Sequence, residues 1–154
     1  PARSVPDGIS SRLAAGSRTY PDRLLFLGGF VSIRSFLSDS VVPEDVAKQI
    51  LEPANESERL SIDDVAIRGG DVVVNSRAEL RFPVAGILGL GVFLDLANLW
   101  VDPLAFDPLA WRYGAGAGLR FATPLGPLAL DYGFNLDRRP WEDLGALHFS
   151  VGLF

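Results

Sequence analysis

From Asp71 onward, apolar and polar residues alternate with a period of two, broken by short turns. The clearest stretch runs from Gly86 to Trp100. Leu88, Leu90, Val92, Leu94 and Leu96 hold its even positions, and Gly89, Gly91, Phe93, Asp95 and Ala97 its odd ones. A strand projects successive side chains to opposite faces, so this segment offers an unbroken aliphatic face and a face of small residues around one carboxylate. Asp71 to Phe82 mostly repeats the pattern, with Val72, Val74, Ser76, Ala78, Leu80 and Phe82 against Asp71, Val73, Asn75, Arg77, Glu79 and Arg81. Tyr113 to Phe121 sets Tyr113, Ala115, Ala117 and Leu119 against Arg112, Gly114, Gly116, Gly118 and Arg120. Leu128 to Leu136 and Gly145 to Phe154 alternate in the same way. The pattern predicts strands near 71–82, 87–98, 112–122, 128–136 and 146–154.

Alternation alone does not separate a membrane barrel from a soluble antiparallel sheet. The uncharged run from Val84 to Leu94 is far short of the roughly 20 residues a spanning helix needs, yet it suffices for a tilted transmembrane strand of about 9 to 11. Aromatics gather near the strand ends (Trp100, Trp111, Tyr113, Phe121, Trp141, Phe154), as in interfacial girdles. Short connections at Pro83–Gly86 and Thr123–Pro127 alternate with longer ones at Leu99–Ala110 and Asp137–Leu144, as periplasmic turns alternate with outer loops. The predicted fold class is all-β, a transmembrane antiparallel β-barrel. A soluble β-sandwich binding module is the rival, and partition into buffer instead of detergent would favour it.

Upstream of the alternation the chain reads differently. Pro1 to Tyr20 mixes Gly, Ser, Pro and Arg without a period and reads as loop. Gly28-Gly29 marks a turn or a close backbone approach, and Arg34 follows inside an apolar cluster of Phe30, Ile33 and Phe36. Pro43 to Leu51 opens with Pro and two acids and predicts a short helix within one long excursion from Ser38 to Arg68. Residues 1–70 are thus read as a strand end and a long loop, and 71–154 as five strands.

Composition narrows the function. A net charge of −5 with Lys48 as the single lysine argues against a nucleic-acid partner. There is no Cys, and His148 is the only His, so these residues offer no thiolate metal site, His triad or multi-His site. Gly114, Gly116 and Gly118 fail the dinucleotide spacing at Leu119 and are read as making room inside a barrel. No G-x-S-x-G occurs. No enzyme activity, cofactor or metal is expected here. The chain opens at Pro1 without Met, basic n-region or apolar h-region, and is read as a fragment of a mature protein.

One constellation stands out. Glu79 and Asp95 fall on the polar parity of two strands joined by a short turn, so they come opposite or nearly opposite each other on one face. Two such carboxylates repel, and one protonates unless a cation joins them. Arg77 and Arg81 flank Glu79 on its own strand. Arg34, on a long loop with apolar anchors, carries a planar fork that can serve both acids.

These residues also carry a resemblance. L-G-G-F-V-S-I-R-S-F, A-E-L-R-F-P, V-F-L-D-L-A-N-L-W and H-F-S-V-G-L-F, in that order, resemble the barrel of the Omp85 superfamily, the bacterial surface antigen domain of BamA- and TamA-like outer-membrane assembly factors. The likeness covers Tyr20 to Phe154. It implies the last five strands and the sixth extracellular loop of a barrel of about sixteen strands. By that likeness the loop tip Ile33, Arg34, Ser35 and Phe36 locks onto Glu79 and Asp95. Ser35 and Ala97 stand where the family has Gly, each adding a side chain where the tip packs.

Because five strands cannot close in lipid, the resemblance implies further strands upstream or from another chain. It implies a protein of the bacterial outer membrane that inserts unfolded outer-membrane proteins into the lipid bilayer without chemistry or cofactor, with periplasmic POTRA domains and accessory subunits as partners. The last strand, with Leu147, Phe149, Val151, Gly152 and the terminal aromatic Phe154, would form the barrel seam and a terminal assembly signal. Unpaired backbone groups there could template an incoming strand. A two-partner-type secretion pore shares the loop motif and is the functional rival.

Overall fold

The computed structural model describes residues 23–53, 60–65, 68–124 and 126–152. The readings for Pro1–Tyr20 and for Phe154 lie outside them. The alternating segments form strands β1 (Val72–Ala85), β2 (Leu88–Trp100), β3 (Arg112–Thr123), β4 (Gly126–Asn135) and β5 (Gly145–Val151). They make one antiparallel sheet in the order β1-β2-β3-β4-β5. Gly86 turns β1 into β2 at φ 53°, a left-handed conformation that tight hairpins require and glycine adopts without steric cost. The register is irregular between Pro83 and Ala85, where proline supplies no N–H to the ladder. β5 ends at Val151; Gly152, at φ 120°, leaves the strand while its N–H still donates to Pro127 O at 2.9 Å.

Register converts the alternation into two chemically distinct faces. Phe82, Leu90, Leu119, Leu130 and Phe149 are successive cross-strand partners, as are Leu80, Val92, Ala117, Tyr132 and Leu147. These rows form a continuous apolar face that stays exposed, up to 66% at Phe149, and no second sheet covers it among the described residues. The opposite face carries the rows Glu79–Phe93–Gly116–Gly133–Ala146 and Arg81–Gly91–Gly118–Asp131–His148. Apolar outside and charged inside is the inverse of a soluble sheet packed on a core. It is the arrangement of a strand wall between lipid and lumen.

The buried apolar cluster lies where the loop returns over the sheet: Leu27, Ile33, Phe36, Val41, Ala97 and Leu99, with Val73 packed against them. The excursion is closed at its base by paired backbone hydrogen bonds between Leu25 and Gly70, at 2.8 and 2.9 Å. Helix α1 (Glu44–Leu51) sits over the far end of β2. The Asp45 carboxylate accepts from the N–H groups of Val101 and Asp102, and Glu44 pairs with Arg139. Trp100 therefore departs from the expected girdle. It is 1% exposed and packs edge-on against Phe106, because its end of β2 runs up into this loop assembly. No described helix is long and apolar enough to cross a membrane.

Candidate functional site

The loop tip is built by short-range turns. Phe36 N–H donates to Ile33 O, and Gly29 N–H to Phe36 O. Ile33 and Phe36 drop into the buried cluster, which leaves the intervening Arg34 facing the charged side of the sheet. Arg34 is 3% exposed. Its Nε and Nη2 donate to Asp95 Oδ2 and Oδ1 at 2.9 and 2.8 Å, and its backbone N–H donates to Asp95 Oδ2 at 3.0 Å. Its Nη1 donates to Glu79 Oε2 at 2.7 Å. The guanidinium also lies over the Phe93 ring, 3.5 Å from the centroid, a cation–π contact. Register explains the shared grip: Asp95 faces Arg77 and Glu79 faces Phe93, so the two acids lie on a diagonal that the fork spans. Burial by itself lowers the Arg34 pKa, but the hydrogen bonds and charges of Asp95 and Glu79 outweigh it and raise the pKa, so Arg34 stays charged.

The network extends beyond that pair. Glu79 Oε1 accepts from Arg120 Nη2 and Arg81 Nε, both at 2.8 Å. Arg120 in turn pairs with Asp131, whose Oδ2 lies 3.6 Å from Arg34 Nη1. Three guanidiniums (Arg34, Arg81, Arg120) thus meet three carboxylates (Glu79, Asp95, Asp131). Desolvating so many charges is tolerable only when they are matched and hydrogen-bonded, as they are here.

Missing side chains make the seat. A Cβ on Gly114 would strike the Ser35 hydroxyl, one on Gly116 the Phe93 ring, and one on Gly133 the Arg34 carbonyl. The β3 glycines therefore give the loop and its stacked ring their room. Ser35, standing where the resemblance has Gly, fits because Gly114 faces it. Ala97, the second departure, is fully buried in the cluster beside Ile33 and Phe36. Gly133→Ala is expected to weaken tip docking by about 1–3 kcal/mol, the usual cost of overpacking, because the clashing atoms are backbone and cannot swing aside. Faster protease cleavage within residues 38–68 of the full-length protein would report it.

The structure brings Ile33, Arg34, Ser35, Phe36, Glu79 and Asp95 together. Leu147, Phe149 and Val151 lie on the opposite, apolar face, 61–66% exposed, with Gly152 just past the strand. Arg77 donates to Phe30 O at 2.9 Å. Arg120, Asp131, Gly133 and His148 also belong to the site, although no motif in the sequence singles them out for it. All four share the polar parity of their strands, and the parity rule applied to the Thr123–Pro127 turn puts Arg120 and Asp131 on one face with each other. In the sequence His148 is a lone imidazole; in the fold its Nε2 lies 3.1 Å from Arg34 O.

A five-stranded antiparallel meander with an apolar outer face, and a charged inner face gripping an arginine from a returning loop, defines a wall segment of an outer-membrane β-barrel. The chain belongs to the Omp85 superfamily, whose domain matches residues 7–154. It is 35% identical over 96 residues to Outer envelope protein 80, chloroplastic, of Arabidopsis thaliana, covering 57% of this chain and 12% of that protein. It is 23% identical to Outer membrane protein assembly factor BamA of Neisseria meningitidis serogroup B, covering 81% of this chain and 18% of that protein. Its fold is similar to that in the crystal structure of BamA from Haemophilus ducreyi lacking POTRA domains 1–3, with a TM-score of 0.60 and 24% identity over 84% of this chain and 27% of that one. The chain thus spans less than a third of each of these relatives.

Proposed function

We propose that this chain is the last part of an outer-membrane barrel that inserts other β-barrel proteins into the bilayer, with Arg34 locking the long loop against the inner wall. The observation that carries this reading is the seat of Arg34 between Glu79 and Asp95 in a chain of the Omp85 superfamily. A loop so held keeps the lumen shaped and the wall rigid while the barrel edge stays available. In this reading that edge is β5, which follows β4 at the end of the sheet. Such an edge can pair with an incoming strand. Unfolded outer-membrane proteins would be its substrates, and upstream strands, POTRA domains and accessory subunits its partners. The bacterial outer membrane is the location that the Neisseria relative supports. The test is reconstitution of the full-length protein in liposomes with a urea-unfolded outer-membrane barrel. Faster acquisition of the heat-modifiable form than in empty liposomes is expected. Passage of a secreted polypeptide into the lumen without insertion would replace this reading with that of a two-partner secretion pore.

A further inference from the structure

Arg34 uses two ends for two purposes. Its guanidinium holds β1 and β2 through Glu79 and Asp95, while its carbonyl reaches the other side of the sheet, over Gly133 of β4 and within 3.1 Å of His148 Nε2 on β5. We propose that His148 is a positioning residue that ties the last strand to the docked loop tip, so that seating of Arg34 and retention of β5 are one coupled event. The tie rests on the seam reading above.

Three features of β5 support it. At seven residues it is the shortest of the described strands, and its ladder to β4 is the shortest of the four. Its inward positions are Ala146, His148 and Ser150. Of these only His148 has a polar group on a long enough side chain to reach the tip, and Ala146 beside it leaves the path open. Its cross-strand partner Asp131 belongs to the same ion network, through Arg120. A carbonyl can only accept, so the contact assigns the proton to Nε2 of His148. Gly133 completes the geometry, because any side chain there would lift the Arg34 carbonyl away from the sheet.

The experiment measures amide hydrogen exchange at Leu147–Val151, alongside protease cleavage within residues 38–68, in the full-length protein in lipid. The variants are Arg34→Ala, His148→Ala and His148→Gln. His148→Ala is expected to speed β5 exchange about fivefold, the factor for one hydrogen bond worth about 1 kcal/mol, and, because the coupling is reciprocal, to raise loop cleavage by no more than about that factor. His148→Gln should restore slow exchange, because its amide nitrogen donates from nearly the same place as Nε2. Arg34→Ala should raise both loop cleavage and β5 exchange. If Arg34→Ala leaves the loop protected, the lock itself fails. If it frees the loop but leaves β5 unchanged, or if His148→Ala does not alter β5, the coupling is overturned while the lock stands. Equal exchange in His148→Gln and His148→Ala would overturn the hydrogen bond as its cause.

Discussion

Arg34→Ala is expected to release the loop from the barrel wall, at a cost of roughly 3–5 kcal/mol, the range for removing one partner of a buried ion pair. The magnitude follows from what is left behind. Asp95, fully buried, loses both hydrogen bonds from the Arg34 guanidinium and keeps only the one from the backbone N–H of residue 34, and Glu79 keeps only Arg81 and Arg120. The Phe93 ring loses its cation as well. Arg34→Lys should recover part of the loss, since an ammonium keeps the charge but cannot fork across two acids and stack on a ring. Protease cleavage within 38–68 and the insertion rate of the full-length protein are the measurements. Double-mutant cycles of Arg34→Ala with Glu79→Gln and with Asp95→Asn should show coupling above about 0.5 kcal/mol. Additive effects in both cycles would remove the lock.

Val92→Arg is the second large effect expected, at about 2–4 kcal/mol if the site lies near the bilayer midplane. Val92 lies within the exposed row Leu80, Val92, Ala117, Tyr132 and Leu147, with a neighbouring strand on each side. On a solvent-facing surface an added arginine there costs almost nothing. Against lipid it must be desolvated or drag water into the hydrocarbon. Asn75→Arg, on the inward parity of β1, is the matched control and should change little. The urea midpoint of the full-length protein folded in lipid vesicles separates the cases. Equal midpoints for the two variants would mean that the apolar face does not meet lipid.

Alternation by itself determined the five strands, their antiparallel order and which parity is apolar, because a period of two admits one assignment of faces and short turns admit one pairing direction. The same parity made Glu79 and Asp95 neighbours, and the apolar pair Ile33 and Phe36 marked Arg34 as carried on an anchored tip. Strand ends were less legible: Gly152 leaves the strand through its backbone conformation, and Trp100 is buried by loops that approach from elsewhere in the chain. The room left by Gly114 and Gly116 is legible in the sequence, but the diagonal offset of the two acids, the second arginine at Arg120 and the hollow at Gly133 emerged only from the tertiary structure. So did the reach of His148 to the Arg34 carbonyl. Each of these depends on register across several hairpins and on where a loop of some forty residues comes to rest. Local periodicity carries no information about either, since a strand's faces are set residue by residue whereas the seat is made by atoms that adjacent strands leave out.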